Sequence, residues 1–260
     1  MTGDDHVLAR DLAGQAGQRL LELRAQGGDP DVLRKAGDRL SHEFLTAALA
    51  ALRPGDVVLS EEGADNPARL GARRVWIVDP LDGTREFGEP GRTDWAVHVA
   101  LWEKGDVSGP GDLTAGAVAL PAQDQVLSTA EPPAPLPEDA ASGRVRIVVS
   151  RSRPPSFVRN ISGLINAELV PLGSAGAKVA AVICGEVDAY VHGGGFYEWD
   201  TAAPVAVARA AGLHASRIDG SALAYNQPDL LMPDILVCRP AVAGILLRAI
   251  REIKEIQNAP

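Results

Sequence analysis

Two cysteines in 260 residues, Cys184 and Cys238, leave no room for a disulfide framework. They stand far apart inside apolar stretches and read as buried free thiols of a reducing compartment. Zinc is no better served, because His6, His42, His98, His192 and His214 fall in no zinc-type spacing with each other or with the cysteines. Basic charge is also short. The formal net charge of −9 has the wrong sign for a nucleic-acid polymer as ligand. No apolar run approaches the roughly 18 residues of a membrane-spanning helix. The start, Met1-Thr2-Gly3-Asp4-Asp5, has no basic-then-apolar leader. No repeat of solenoid period occurs. The expectation is a cytoplasmic protein with no membrane or nucleic-acid partner. A small phosphorylated ligand stays open, because an acidic site holding divalent cations attracts phosphate locally.

What is present suits a substantial core. Hydrophobic residues make up 46% and charged residues 23%, while 27 glycines and 19 prolines imply many connections between short elements. Leu8, Leu12, Ala16, Leu20 and Leu23 recur at helical spacing over 5–24, and Gly27-Gly28 ends that helix. A second helix is expected from near Asp38 to Leu52. Strands follow at 57–59, 75–78, 95–102 and 114–120. The proline-rich run 131–138 suits neither helix nor central strand and divides the chain into subdomains 1–138 and 139–260. Beyond it the pattern alternates: strand 145–149, helix 156–165, strand 168–172, helix from Gly173-Ser174 through Cys184, and strand 187–191. A helix then opens at Trp199-Asp200-Thr201 and ends at Gly212, before strand 234–239 and helix 241–256.

The chemistry concentrates in Asp79-Pro80-Leu81-Asp82-Gly83-Thr84, at the end of the strand Val75-Trp76-Ile77-Val78. Pro80 cannot donate to a strand ladder, so the chain is expected to turn there. Asp79, Asp82 and the Leu81 carbonyl then offer the oxygen ligands that hard cations prefer. Gly83 allows close approach of an anion, and Thr84 opens a helix whose amides suit a phosphate. Glu61 at an earlier strand end and Asp200 before a distant helix could complete one acidic cluster. Each has a plainer explanation: Asp-x-x-Asp-Gly also makes ordinary turns, Glu61 and Glu62 also read as solvated loop charges, and Asp200 as an N-cap. Trp199 reads as packing and His98 as a hydrogen-bonded core residue.

Together, Ser60-Glu61-Glu62-Gly63, Asp79-Pro80-Leu81-Asp82-Gly83-Thr84 and Glu198-Trp199-Asp200-Thr201-Ala202-Ala203 resemble the three hallmark strings of the inositol monophosphatase-like superfamily, in order and over 35–212. That resemblance implies an α/β protein of the α+β sugar-phosphatase type, a layered αβαβα sandwich of two subdomains. It implies a magnesium-dependent, lithium-sensitive phosphatase, with Mg2+ held by Glu61, Asp79, the Leu81 carbonyl, Asp82 and Asp200. Gly83 and Thr84 would hold the phosphoryl oxygens, Thr84 would orient the attacking water, and a homodimer is implied.

Within the superfamily the chain is similar to the CysQ-type 3'-phosphoadenosine 5'-phosphate phosphatases. Glu86 stands in Asp-Gly-Thr-x-Glu-Phe, the distal string has the Glu-Trp-Asp form, and Ser150-Arg151-Ser152-Arg153 resembles the branch's Ser-Arg-Ser-His. By that resemblance Ser150, Arg151, Ser174 and Asp200 touch a small phosphorylated nucleotide, and Gly173-Ser174 with Lys178 is similar to the branch's Gly-Ser-x-x-x-Lys; as bare sequence, Arg151 and Lys178 equally read as solvated residues. Inositol monophosphate or fructose 1,6-bisphosphate is the alternative substrate, and a non-catalytic phosphate or nucleotide sensor the alternative of another class. One departure stands out: the superfamily's Thr-x-x-Asp near the first helical pair has no visible counterpart, Phe44 or Leu45 taking the aspartate's place. Asp38, expected at a helix start, is the replacement candidate, with Glu43 second; Asp38 also reads as a plain N-cap.

Overall fold

The computed structural model describes residues 4–105, 110–135, 143–152 and 154–258. Two long helices come first, α1 (Asp5–Ala25) and α2 (Pro30–Leu52), followed by β1 (Val57–Ser60), β2 (Arg74–Asp82) and the short α3 (Thr84–Gly88). The strands β3 (Ala96–Glu103), β4 (Asp112–Leu120) and β5 (Gln125–Ser128) complete the first half. The second half runs β6 (Arg146–Ser150), α4 (Ser156–Ile165), β7 (Glu168–Leu172), α5 (Ala175–Ile183), β8 (Ala189–His192), β9 (Phe196–Tyr197) and α6 (Glu198–Ala210). It closes with β10 (His214–Ser216), β11 (Leu231–Met232), β12 (Ile235–Cys238) and α7 (Pro240–Asn258).

The strands form two five-stranded sheets, ordered β1-β2-β3-β4-β5 and β10-β12-β8-β6-β7. The first is parallel only at β1/β2 and continues as an antiparallel meander. The second is parallel across β7-β6-β8 and antiparallel at β8-β12-β10. Strand alternation sends side chains to both faces, and every face is covered. Trp76, Val78, Val97 and Val99 pack on α1 and α2. Val75, Ile77 and Ala100 of the first sheet, with Val148, Tyr190 and Val237 of the second, enclose α5 and α6 between them. Ile147, Val149, Val191 and Leu236 pack on α4 and α7. The expected αβαβα layering is therefore what the chain forms.

The alanine-rich α6 lies unusually close to the first sheet. A Cβ at Gly116 in β4 would sit 2.7 Å from Ala206 Cβ, so only glycine fits there. This approach brings the start of α6, with Asp200, to the carboxyl end of β2.

Several boundaries differ from expectation for physical reasons. α2 begins at Pro30 rather than near Asp38, because Asp29 accepts from the Asp31 and Val32 amides and Pro30 suits the first turn. Asp38 is consequently an interior residue of α2 and not an N-cap. β2 does not stop at Pro80 but runs to Asp82, using one residue more than β3 between the Asp79–His98 and Asp82–Ala96 pairs. That bulge absorbs the missing proline donor. α6 begins at Glu198, so Asp200 lies inside its first turn. Cys184 is exposed, whereas Cys238 is buried as expected. The strands β5, β9, β10 and β11 are too short or too polar to stand out in sequence. Part of the proline-rich run, 136–138, lies outside the described residues; the two sheets draw on either side of it.

Candidate active site

The bulge at the end of β2 decides the site's geometry. Asp79 is buried, and its Oδ1 accepts from the Leu81 amide at 3.0 Å, closing a tight turn. Its Oδ2 is buried with no hydrogen-bond partner. Asp82 faces the start of α5, accepting from the amides of Ala175 at 3.2 Å and Gly176 at 2.5 Å. Asp200 accepts from the Tyr197 amide at 2.6 Å, which leaves the rest of its carboxylate for the cleft. Oxygens of Asp79, Asp82 and Asp200 all lie within 4.8 Å of one another. Three carboxylates so placed repel, and an orphaned buried oxygen among them is costly. An all-oxygen donor set of this kind fits a hard divalent cation.

The electrostatics record the strain. Burial, then the charges of Glu61, Asp82 and Asp200, push Asp79 well above the usual carboxylate range. Burial and Asp82 push Asp200 up to about 6. Asp82 moves the other way: burial opposes its charge, but the His98 ring, the Gly176 amide and Lys178 outweigh burial and hold it ionised. Glu61 has a solvent-accessible side chain and lies outside the three-residue group, yet enclosure of its carboxyl and the charge of Asp200 raise it to about 7.

Thr84 starts α3 directly after Gly83, whose φ of +84° is a glycine conformation. A Cβ at Gly83 would also meet Ser174 Cβ at 2.8 Å. The Thr84 hydroxyl lies 3.3 Å from Asp38 Oδ1 and 3.1 Å from the Leu81 carbonyl oxygen, and it can donate to either. Burial first, then Glu62, raises Asp38 to about 6, against the Thr84 hydrogen bond. Of the other residues weighed for that place, Glu43 is exposed beside Arg39, Leu45 is buried in the core, and Phe44 packs under Arg19.

The remaining candidates line one cleft of about 310 Å³ with Asp82, Thr84 and Asp200. Ser150 and Arg151 enter from the end of β6, and Ser174 from the cap of α5. Ser174 Oγ accepts from the Ala177 amide at 2.9 Å, so its oxygen is partly committed to capping. Arg151 is no loose surface cation: it pairs with Glu86 at 2.8 Å and Glu89 at 3.1 Å. Arg153 lies outside the described residues.

Two residues here carry more than the sequence suggested. Lys178 is buried, not solvated, and donates to the carbonyls of Gly173 and Ser174, folding its charge under the α5 start. His98 is fully buried, bonded through Nδ1 to the Trp199 carbonyl at 3.1 Å, with Nε2 3.3 Å from Asp82 Oδ2. It therefore ties Asp82 to the start of α6. The signal that could have found it is register, since His98 pairs with Asp79 across β2 and β3. Glu198 is not part of the acidic cluster; its carboxylate accepts from the Asn226 and Gln227 amides at 2.6 and 2.7 Å.

The sequence profile of the inositol monophosphatase family matches residues 8–255. The chain belongs to that family. Its members are phosphoric monoester hydrolases that use a divalent metal, and the acidic cluster stands where such an ion can be held. The chain is 51% identical over 258 residues to a 3'-phosphoadenosine 5'-phosphate phosphatase of Mycobacterium leprae, covering 96% of this chain and 94% of that one. It is 30% identical to the 3'(2'),5'-bisphosphate nucleotidase CysQ of Escherichia coli K12, over 83% of this chain and 91% of that one. The crystal structure of CysQ from Bacteroides thetaiotaomicron superposes with a TM-score of 0.76 at 28% identity, covering 90% of this chain and 97% of that one. Among the described residues no helix is long and apolar enough to cross a membrane.

Proposed function

We propose that this family member hydrolyses the 3'-phosphate of 3'-phosphoadenosine 5'-phosphate to give AMP and inorganic phosphate, with magnesium as its cofactor, clearing a by-product of sulfate assimilation. The near-full-length likeness to the mycobacterial phosphatase of that name carries the substrate. The chemistry rests on the three converging carboxylates beside Thr84. Asp79, Asp82 and Asp200, with Glu61 and the Leu81 carbonyl, would hold the ions. When bound, magnesium there supplies charge neutralisation of the phosphoryl oxygens and acidifies a water. Thr84 would orient the attacking water: when its hydroxyl donates to Asp38, at 3.3 Å, its oxygen lone pairs are left to accept from the nucleophile. Asp38 and Glu61 are the carboxylates placed to take the proton. The bond from water oxygen to phosphorus forms as the bond to the ribose 3'-oxygen breaks; the proton taken from the water returns through solvent to the departing 3'-oxygen, which leaves as the hydroxyl. Amides of Gly83 and Thr84 receive the phosphoryl oxygens.

Ser150, Ser174 and Arg151 contact the rest of the nucleotide, with Arg151 directed at the 5'-phosphate. Magnesium activates, calcium substitutes poorly because it favours larger and looser coordination, and lithium inhibits. The same reading takes the protein as a cytoplasmic homodimer; the unpaired thiols support the compartment and family resemblance the dimer. Phosphate release measured on 3'-phosphoadenosine 5'-phosphate, its sulfated relative, inositol 1-phosphate and fructose 1,6-bisphosphate tests the substrate. The highest kcat/KM should fall on the first. A preference for inositol 1-phosphate would replace this reading with the alternative, and no release from any would leave a sensor.

A further inference from the structure

Arg151 follows β6 of the second sheet, whereas Glu86 and Glu89 stand in and after α3, at the end of the first sheet's β2. A single guanidinium nitrogen, Nη2, serves both acids, at 2.8 Å from Glu86 Oε1 and 3.1 Å from each Glu89 carboxylate oxygen. Arg151 Nε is buried without a hydrogen-bond partner. The guanidinium shares its cleft with Thr84, Lys178 and Asp200.

The two glutamates are themselves held from behind. Arg24 of α1 donates through Nη2 to the Glu89 carbonyl at 2.6 Å and the Glu86 carbonyl at 3.4 Å, and through Nη1 to the Arg92 carbonyl at 2.8 Å. The Glu86 stem is wedged against the opposite wall, since a Cβ at Gly173 would lie 2.5 Å from Glu86 Cγ. Backbone, stem and carboxylate of Glu86 are thus all held, and they hold in turn the Nη2 edge of the planar Arg151 guanidinium.

We propose that Glu86 and Glu89 are positioning residues for substrate selection: they hold the Arg151 guanidinium at the cleft so that its uncommitted N–H groups meet the second phosphate of a bisphosphate nucleotide. This rests on the reading of Arg151 as a 5'-phosphate contact. The opposite arrangement, in which the glutamates compete with substrate for a swinging arginine, would strand the buried carboxyl group of Glu86 without its partner whenever substrate bound. A held guanidinium loses little further freedom on meeting a phosphate, which is where its selectivity arises.

The test compares kcat and KM on 3'-phosphoadenosine 5'-phosphate and on adenosine 3'-monophosphate, which lacks the 5'-phosphate. The full-length magnesium-loaded protein is measured as wild type, Glu86→Gln, Glu89→Gln, Arg151→Ala and the double variant Glu86→Gln/Arg151→Ala. The ratio of kcat/KM between the two substrates should fall about tenfold in Arg151→Ala, and about three- to tenfold in each glutamine variant, mainly through KM. The double variant should fall no further than Arg151→Ala alone. Glu89, at a partly exposed position, gives a variant that folds even if Glu86→Gln does not. If Arg151→Ala lowers the ratio while both glutamine variants keep or raise it, the positioning role is overturned and the Arg151 contact stands. If Arg151→Ala leaves the ratio unchanged, the contact itself falls and the positioning role with it.

Discussion

The hydroxyl of Thr84 stands 3.3 Å from the carboxylate of Asp38, joining the start of α3 to the interior of α2 across 46 positions of sequence. A hydroxyl that donates to a carboxylate keeps its lone pairs for another donor, and this one sits beside three converging acids. Asp38→Asn keeps the size of the side chain and removes its basicity. It should lower kcat about a hundredfold, with less effect on KM, as steady-state kinetics would measure. Thr84→Ser, which keeps the hydroxyl, should retain far more activity than Thr84→Val.

Asp79→Asn and Asp82→Asn should each lower turnover by roughly two to four orders of magnitude, because each removes charge from the cluster that would hold the cofactor. Their effects on the metal-free protein should differ. Asp79 is buried among like charges and gains nothing from ionisation, so its neutral replacement should raise the melting temperature without metal. Asp82 is held by two amides and by His98, so its replacement should lower it. Thermal melts of the chelator-treated variants separate the two.

The pH dependence of the metal-free protein follows from the raised acids. Asp38 and Asp200 at about 6 and Glu61 at about 7 bind protons more tightly folded than unfolded. Their penalty is absent below the ordinary carboxylate range near 4 and grows as pH rises through 6 to 7. Chelator-treated protein should therefore lose stability over that window. Added magnesium should restore it, with a larger melting-temperature gain at pH 8 than at pH 5.5.

Glu198→Ala should destabilise the fold by about 1–3 kcal/mol, chiefly through the buried Asn226 amide left unpaired, since Gln227 stands at an exposed position where water can replace the carboxylate. Denaturant unfolding would read it. Glu198→Gln, which can still accept at its amide oxygen, should lose less.

Layering, helix order and the acidic strings were legible because they live in local pattern: apolar periodicity, the Asp-Pro-Leu-Asp-Gly-Thr run, and the glycine before Thr84. What escaped depends on distance in sequence. In sequence Asp38 reads as a helix start because Asp29 and Pro30, which start the helix, carry no apolar periodicity of their own. His98 reads as core in sequence, which it is, but its contact with Asp82 exists only once the β2 bulge places Asp82 opposite α5. Glu86 is visible in sequence as a branch feature, while its bond to Arg151 requires two sheets to meet. In sequence Lys178 reads equally as part of a branch-like Gly-Ser-x-x-x-Lys string and as a solvated helix residue, because helical spacing cannot show that α5 is sandwiched.

The position of the bond that breaks is the most direct test of the account. The protein incubated with magnesium and 3'-phosphoadenosine 5'-phosphate should release one phosphate per nucleotide and leave adenosine 5'-monophosphate as the sole nucleoside product, formed roughly a hundredfold or more slowly by Asp79→Asn under the same conditions. Adenosine 3'-monophosphate as product, or equal release by Asp79→Asn, would contradict it.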